Sequence, residues 1–97
     1  MANLAGIFKA LGDETRLAIF ELIRERCRGV GIPEDQVGNT VSKLAEEFDV
    51  SLSTVSHHLK ELRNAGLIVC EKRGQSVHCG PNEETLKEVE RFLGISV

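Results

Sequence analysis

Residues 51–66, Ser-Leu-Ser-Thr-Val-Ser-His-His-Leu-Lys-Glu-Leu-Arg-Asn-Ala-Gly, constrain the fold more than any other stretch of the chain. Leu52, Val55, Leu59 and Leu62 recur at helical spacing, forming a stripe that one helix buries. At about 100° per residue, Ser53, His57, Lys60 and Asn64 fall on the opposite side. That face carries small hydrogen-bonding groups near its start and a cation further along. A helix that enters a major groove by its N-terminal half needs this arrangement. Ser51 is a natural N-cap, and Gly66 stands where a left-handed residue ends a helix. Taken alone, the stretch also fits an ordinary amphipathic core helix with a wet outer face.

The neighbouring segments decide between these readings. Thr40 is placed to cap a short helix over 41–48, with Val41, Leu44, Ala45 and Phe48 as its apolar face. Asp49-Val50 makes a tight connection into the next helix, which gives a helix-turn-helix unit. After Gly66 the pattern turns to strand: residues 67–72, then Arg73-Gly74, then residues 75–79. A glycine in a two-residue turn between such runs signals a hairpin, although Arg is not the best first residue for it. With Arg73-Gly74 as the loop, Ile68, Cys70, Val77 and Cys79 share one face, and Val69, Glu71, Ser76 and His78 the other. One apolar and one polar face describe a ribbon on a core, with its basic tip, Lys72-Arg73, in solvent. Upstream, Asp13 to Arg28 reads as a long central helix with Leu17, Phe20, Ile23 and Cys27 along one side. Residues 29–39 contain Pro33 and three glycines, which exclude regular helix and suggest a surface insertion.

Two stretches of the chain resemble a known family. Phe8-Lys9-Ala10-Leu11-Gly12-Asp13-Glu14-Thr15-Arg16-Leu17 is similar to the opening signature of the ArsR-type winged-helix repressors. Ser53-Thr54-Val55-Ser56-His57-His58-Leu59-Lys60, continued by Leu62 and Ala65-Gly66-Leu67, resembles their recognition helix and the entry to their wing. With the hairpin, the resemblance covers nearly the whole chain. It implies one mainly α winged helix-turn-helix domain with a small β-hairpin, in the order helix, helix, helix, helix, strand, strand, helix. The helix-turn-helix then occupies about 41–66 and the wing about 67–80. The resemblance further implies a homodimer on double-stranded DNA bearing an inverted-repeat operator. Its dimerisation helices fall at about 3–11 and 83–93, where the chain has two fitting apolar stripes. Leu4, Ile7, Phe8 and Leu11 make the first; Leu86, Val89, Phe92 and Leu93, behind a potential Asn82 cap, make the second. The alternative is that both helices only cap the core of one monomer.

Composition agrees with a small regulator, with one tension. Ninety-seven residues make one domain short of apolar area, which a dimer interface would supply. No run approaches the ~20 apolar residues of a membrane span, and no signal-peptide pattern opens the chain, so a cytoplasmic protein is expected. The net charge of −3 does not suit a protein that coats nucleic acid unspecifically. Its distribution does suit an oriented contact. Residues 51–80 hold four Lys/Arg (Lys60, Arg63, Lys72, Arg73) against Glu61 and Glu71, a local +2 that leaves −5 on the remainder.

The family's sensing sites do not carry over. One uses two Cys at the start of the third helix, where this chain has Thr40 and Ser42. The other uses Asp and His along the last helix, where residues 82–97 contain no His and only Glu83, Glu84, Glu88 and Glu90 as acids. No metal or other cofactor is therefore expected, and the effector is unknown. His57-His58 are neighbours pointing about 100° apart, which suits groove contact by His57 and packing or phosphate contact by His58. Of the three cysteines, Cys27 reads as a core residue. Cys70 and Cys79 share a face of the wing and form a candidate redox pair whose oxidation would distort the wing. They lie diagonal in the Arg73-Gly74 register and opposite in a Gly74-Gln75 register. The bland reading is that both are small buried hydrophobes.

No nucleophile elbow, phosphate loop or H-E-x-x-H motif is present, which argues against an enzyme. The rival class is a winged helix used as a protein-interaction module without operator specificity. The expected base contacts are Ser53, Thr54, Ser56 and His57, with Lys60, Arg63, Lys72 and Arg73 on phosphates.

Overall fold

The computed structural model describes residues 3–27 and 39–94. The element order is α1 (Leu4–Leu11), α2 (Glu14–Arg26), α3 (Val41–Phe48), α4 (Leu52–Asn64), β1 (Ile68–Arg73), β2 (Ser76–Pro81) and α5 (Glu83–Leu93). Four of the five helices among the described residues begin where a side chain accepts from an orphan backbone amide. Asn3, Asp13, Thr40 and Ser51 accept from the amides of Gly6, Arg16, Lys43 and Thr54. Asn82 occupies the corresponding position of α5 but makes no side-chain cap. Its backbone amide instead donates to the Leu67 carbonyl at 2.9 Å and ties the base of the hairpin shut.

Two helix ends set the angle of the recognition unit. Asp49 adopts φ +52°, and the amides of Asp49 and Val50 return to the carbonyls of Glu46 and Ala45. This doubly bonded left-handed stop turns the chain sharply from α3 into α4. Gly66 (φ +79°) repeats it after α4, with Gly66 and Leu67 amides bonded to Arg63 and Leu62 carbonyls. Leu62 and Leu67, which this geometry brings together, are both fully buried. They join Ile7, Ile19, Ile23, Leu44, Val55 and Ile68 in a single core beneath α4.

Burial departs from the expected stripes at two leucines. Leu52 is 57% exposed, because the seam of α4 that reaches the core runs through Val55, His58, Leu59 and Leu62 and stops one turn short of it. Leu17 is also exposed, and Ile19 takes its place among Phe20, Ile23 and Cys27 on the inner side of α2. The central helix ends at Arg26, with Cys27 as its C-cap. The expected 29–39 insertion lies outside the described residues except for Asn39. That residue is fully buried, with its Nδ2 within 3.3 Å of the Ile23 and Cys79 carbonyls and 3.1 Å from Cys27 Sγ.

The hairpin register corrects the expected loop. Arg73 pairs with Ser76 and Cys70 with Cys79, so the loop is Gly74-Gln75. Gly74 has φ +62° and Gln75 does not share that sign, the pattern of a type II′ turn. Such a turn requires its glycine first, which rules out Arg73 as the leading loop residue. The shift is by two positions, so the expected faces survive. The polar face is nevertheless not wholly wet: His78 is buried, because Thr40 bridges to it across the outer edge of β2.

Candidate nucleic-acid interface

Ser51 organises the start of α4. Its Oγ accepts from the Thr54 amide at 3.1 Å and lies 2.8 Å from Thr54 Oγ1 and 3.1 Å from Ser53 Oγ. Three hydroxyls are thus gathered at a helix N-terminus whose first turn holds no acid. The positive end of the helix dipole and a cluster of small donors face the same way, which favours an anionic ligand such as a phosphodiester. Beyond them Ser56, His57, Lys60, Arg63 and Asn64 are exposed along the outer face. Thr54 is half-buried, its hydroxyl engaged by Ser51.

His58 belongs to the core side. It is 9% exposed, and its Nδ1 lies 3.3 Å from Arg16 Nη1. Arg16 also donates through Nε to the Ala10 carbonyl at 2.6 Å. One guanidinium therefore ties the end of α1 and the start of α2 to the recognition helix. Burial lowers the His58 pKa, the Arg16 and His57 charges add to this, and Asp13 opposes it. A neutral imidazole is the form that accepts from Arg16. The clamp was beyond sequence reasoning, because 42 residues separate its partners; the D-x-T-R element of the signature was the available signal.

On the wing, Lys72 is exposed on the strand just before the turn. Arg73 is held along the strand by Glu71, with Nε and Nη2 both 2.7 Å from Glu71 Oε2. Its charge is thereby partly neutralised in the free protein. Arg63, at the end of α4, adds to the lowering of the Cys70 pKa, whose largest cause is the Cys79 thiol. Cys70 and Cys79 face each other with their sulfurs 3.2 Å apart. Thr40 caps α3, while Ser42 is exposed. Among the described residues, no three His, Cys, Asp or Glu side chains gather as a set of metal ligands. No helix among them is long and apolar enough to cross a membrane.

A second surface lies on α1 and α5. Of the residues of α5, only Thr85 is buried. Phe92 (59% exposed) and Leu93 stand outside the core, and the Phe92 ring leans on that of Phe8 with centroids 5.7 Å apart. Phe8 is itself 42% exposed, so the two rings form a ridge that one chain leaves in water.

Comparison with known proteins places this arrangement. Residues 11–71 match the model of a helix-turn-helix domain family. The chain is similar to an uncharacterized helix-turn-helix transcriptional regulator of Bacillus subtilis, YbzH, with 33% identity over 90% of this chain and 91% of that protein. It is also similar to the transcriptional repressor SdpR of the same organism, with 29% identity over 84% of this chain and 79% of the other. Among solved structures, an ArsR-family transcriptional regulator superimposes with a TM-score of 0.72 and 33% identity, covering 97% of this chain and 90% of the other.

Proposed function

This chain belongs to the ArsR-type winged helix-turn-helix family, and we propose that it acts as a homodimeric, sequence-specific DNA-binding repressor of transcription. The observation that carries the reading is the outer face of α4, where Ser53, Ser56, His57 and Lys60 are exposed behind a hydroxyl-rich helix N-terminus. Ser53, Thr54, Ser56 and His57 read base edges in the major groove. Lys60, Arg63 and Lys72 hold phosphates. Arg73 contributes by exchanging Glu71 for a phosphate when the wing reaches DNA, so its net gain is smaller than that of Lys72.

The dimer rests on α1 and α5. A helix that buries one residue while exposing Phe92 and Leu93 needs a partner for its apolar side. A second copy related by a two-fold axis covers the Phe8–Phe92 ridge with its own and sets two α4 helices on successive major grooves. The operator is then an inverted repeat.

A gel-shift titration against the DNA upstream of the protein's own gene, beside random DNA at matched salt, tests the proposal. Preference for the upstream DNA supports it. Equal, weak binding to both, with Lys60→Ala and Arg73→Ala without effect on function, supports an interaction module instead.

A further inference from the structure

The Cys70–Cys79 pair lies at the edge of the core, with Cys79 buried in it and Cys70 packed against it. Cys79 donates its backbone amide to the Asn39 carbonyl, and its own carbonyl receives Asn39 Nδ2 and the Cys27 thiol. Both backbone groups of Cys79 therefore point away from β1. That makes Cys70–Cys79 a non-hydrogen-bonded pair of the ladder, the kind in which facing side chains lie closest. Their sulfurs are 3.2 Å apart, against the roughly 2.05 Å of a bond, so side-chain rotation of about an ångström closes the gap. The strands need not separate, which removes the premise that oxidation must distort the wing.

The two thiols are also chemically unequal. Cys70 is half-buried at the foot of exposed Arg63, while Cys79 is fully buried. The Cys79 thiol bonded to Cys70, together with the Arg63 guanidinium, brings Cys70 down to about 7, while the same pairing and burial push Cys79 far up. A reachable thiolate beside a protonated partner is the division of labour between an attacking and a resolving cysteine. Cys27 is no rival: it is fully buried, burial raises its pKa, and its sulfur is turned to the Cys79 carbonyl.

We propose that Cys70 and Cys79 form a hydroperoxide-reactive dithiol that closes to a cross-strand disulfide within the folded wing. The Cys70 thiolate attacks the terminal oxygen of a hydroperoxide; the S–O bond forms, the O–O bond breaks, and the alcohol (or water) leaves with a proton. Cys79 sulfur then attacks the Cys70 sulfenic acid; the S–S bond forms, the S–O bond breaks, and water leaves with the Cys79 proton. Two thiols thus give up two electrons and two protons to one hydroperoxide. The product abolishes the Cys70 thiolate, and with it the partial negative charge that Arg63 helps to stabilise. The chemistry stands whether or not the protein binds an operator, because its test reads sulfur alone.

The full chain is treated with one equivalent of hydrogen peroxide or cumene hydroperoxide, then denatured, alkylated and weighed. The expected product is an intrachain disulfide, about 2 Da lighter by loss of two hydrogens, with Cys27 alone alkylated. The wild-type reaction rate rises with pH through an inflection near 7. Cys79→Ser stops at a Cys70 sulfenic acid that dimedone traps, and Cys70→Ser leaves Cys79 unreacted. Should Cys79→Ser fail to fold, the wild-type product and its pH profile decide. Unchanged thiols at one equivalent of peroxide, or a disulfide that forms only after denaturation, overturns the proposal. Such a result makes the pair two packed hydrophobes.

Discussion

Replacing Ser51 separates what the N-cap does for the helix from what the helix does for DNA. In Ser51→Ala the Thr54 amide loses its acceptor, and the Ser53 and Thr54 hydroxyls lose their common partner. The lost cap costs about 1 kcal/mol. The hydroxyl–hydroxyl contacts are exposed and add little, because water replaces them. Unfolding entropy of about 2.1 cal/mol/K per residue gives roughly 0.2 kcal/mol/K for 97 residues, so the melting temperature falls by about 5 °C. Ser51→Asp keeps an acceptor and adds a charge that the helix N-terminus favours, so it melts within about 2 °C of wild type. The same carboxylate puts a negative charge on the end of α4 that enters the groove of polyanionic DNA. DNA affinity therefore falls at least ~10-fold at low salt in Ser51→Asp, and the deficit shrinks as salt rises. Thermal melts at fixed protein concentration and anisotropy titrations at two salt concentrations measure both. A Ser51→Ala protein as stable as wild type, or a Ser51→Asp protein that binds DNA undiminished, refutes the reasoning.

Other outcomes follow from the same geometry. Lys60→Ala and Lys72→Ala weaken binding to all sequences alike and lower the salt slope by about one each; Ser53→Ala and His57→Ala instead relax preference at single positions by roughly 1–3 kcal/mol, read by competition among mutated sites. Phe92→Glu puts a charge into the Phe8–Phe92 ridge and yields a folded monomer by sedimentation, whereas a dimer unaffected by it would move the interface elsewhere. Because burial lowers the folded-state pKa of His58, the unfolded chain takes up its proton first as pH falls. Its contribution is complete above about pH 6.5 and declines below it, so the urea midpoint drops from pH 7.5 to 5.5 by more in wild type than in His58→Gln. An equal drop in both proteins contradicts that assignment.

The helices, the helix-turn-helix and the wing were legible because each is written in local pattern. Caps at Thr40 and Ser51, apolar spacing and the Gly66 stop need no knowledge of distant residues. The exposed face of α4 follows from its seam, so Ser53, His57 and Lys60 could be named from spacing alone. What pattern could not supply was contact between segments far apart in sequence. The Arg16–His58 clamp, the burial of Asn39 between α2 and β2, and the Thr40 bridge that buries His78 are all of that kind. Leu52 and Leu17 show the limit of periodicity, which gives a direction around the helix but not whether the core extends that far. The hairpin turned on one residue: Gly74 leads its turn, and that placement brought Cys70 opposite Cys79 rather than diagonal to it.

In the proposed dimer two copies of α4 read DNA as a symmetric pair. Selection of bound sequences from a random duplex pool, by wild type and by His57→Ala at one salt concentration, tests it most directly. Wild type is expected to enrich an inverted repeat with half-sites centred about 10 base pairs apart, one helical turn, or a multiple of it. His57→Ala then enriches the same repeat with one position in each half relaxed. No enrichment over the starting pool, or a single unpaired site unaffected by His57→Ala, contradicts it.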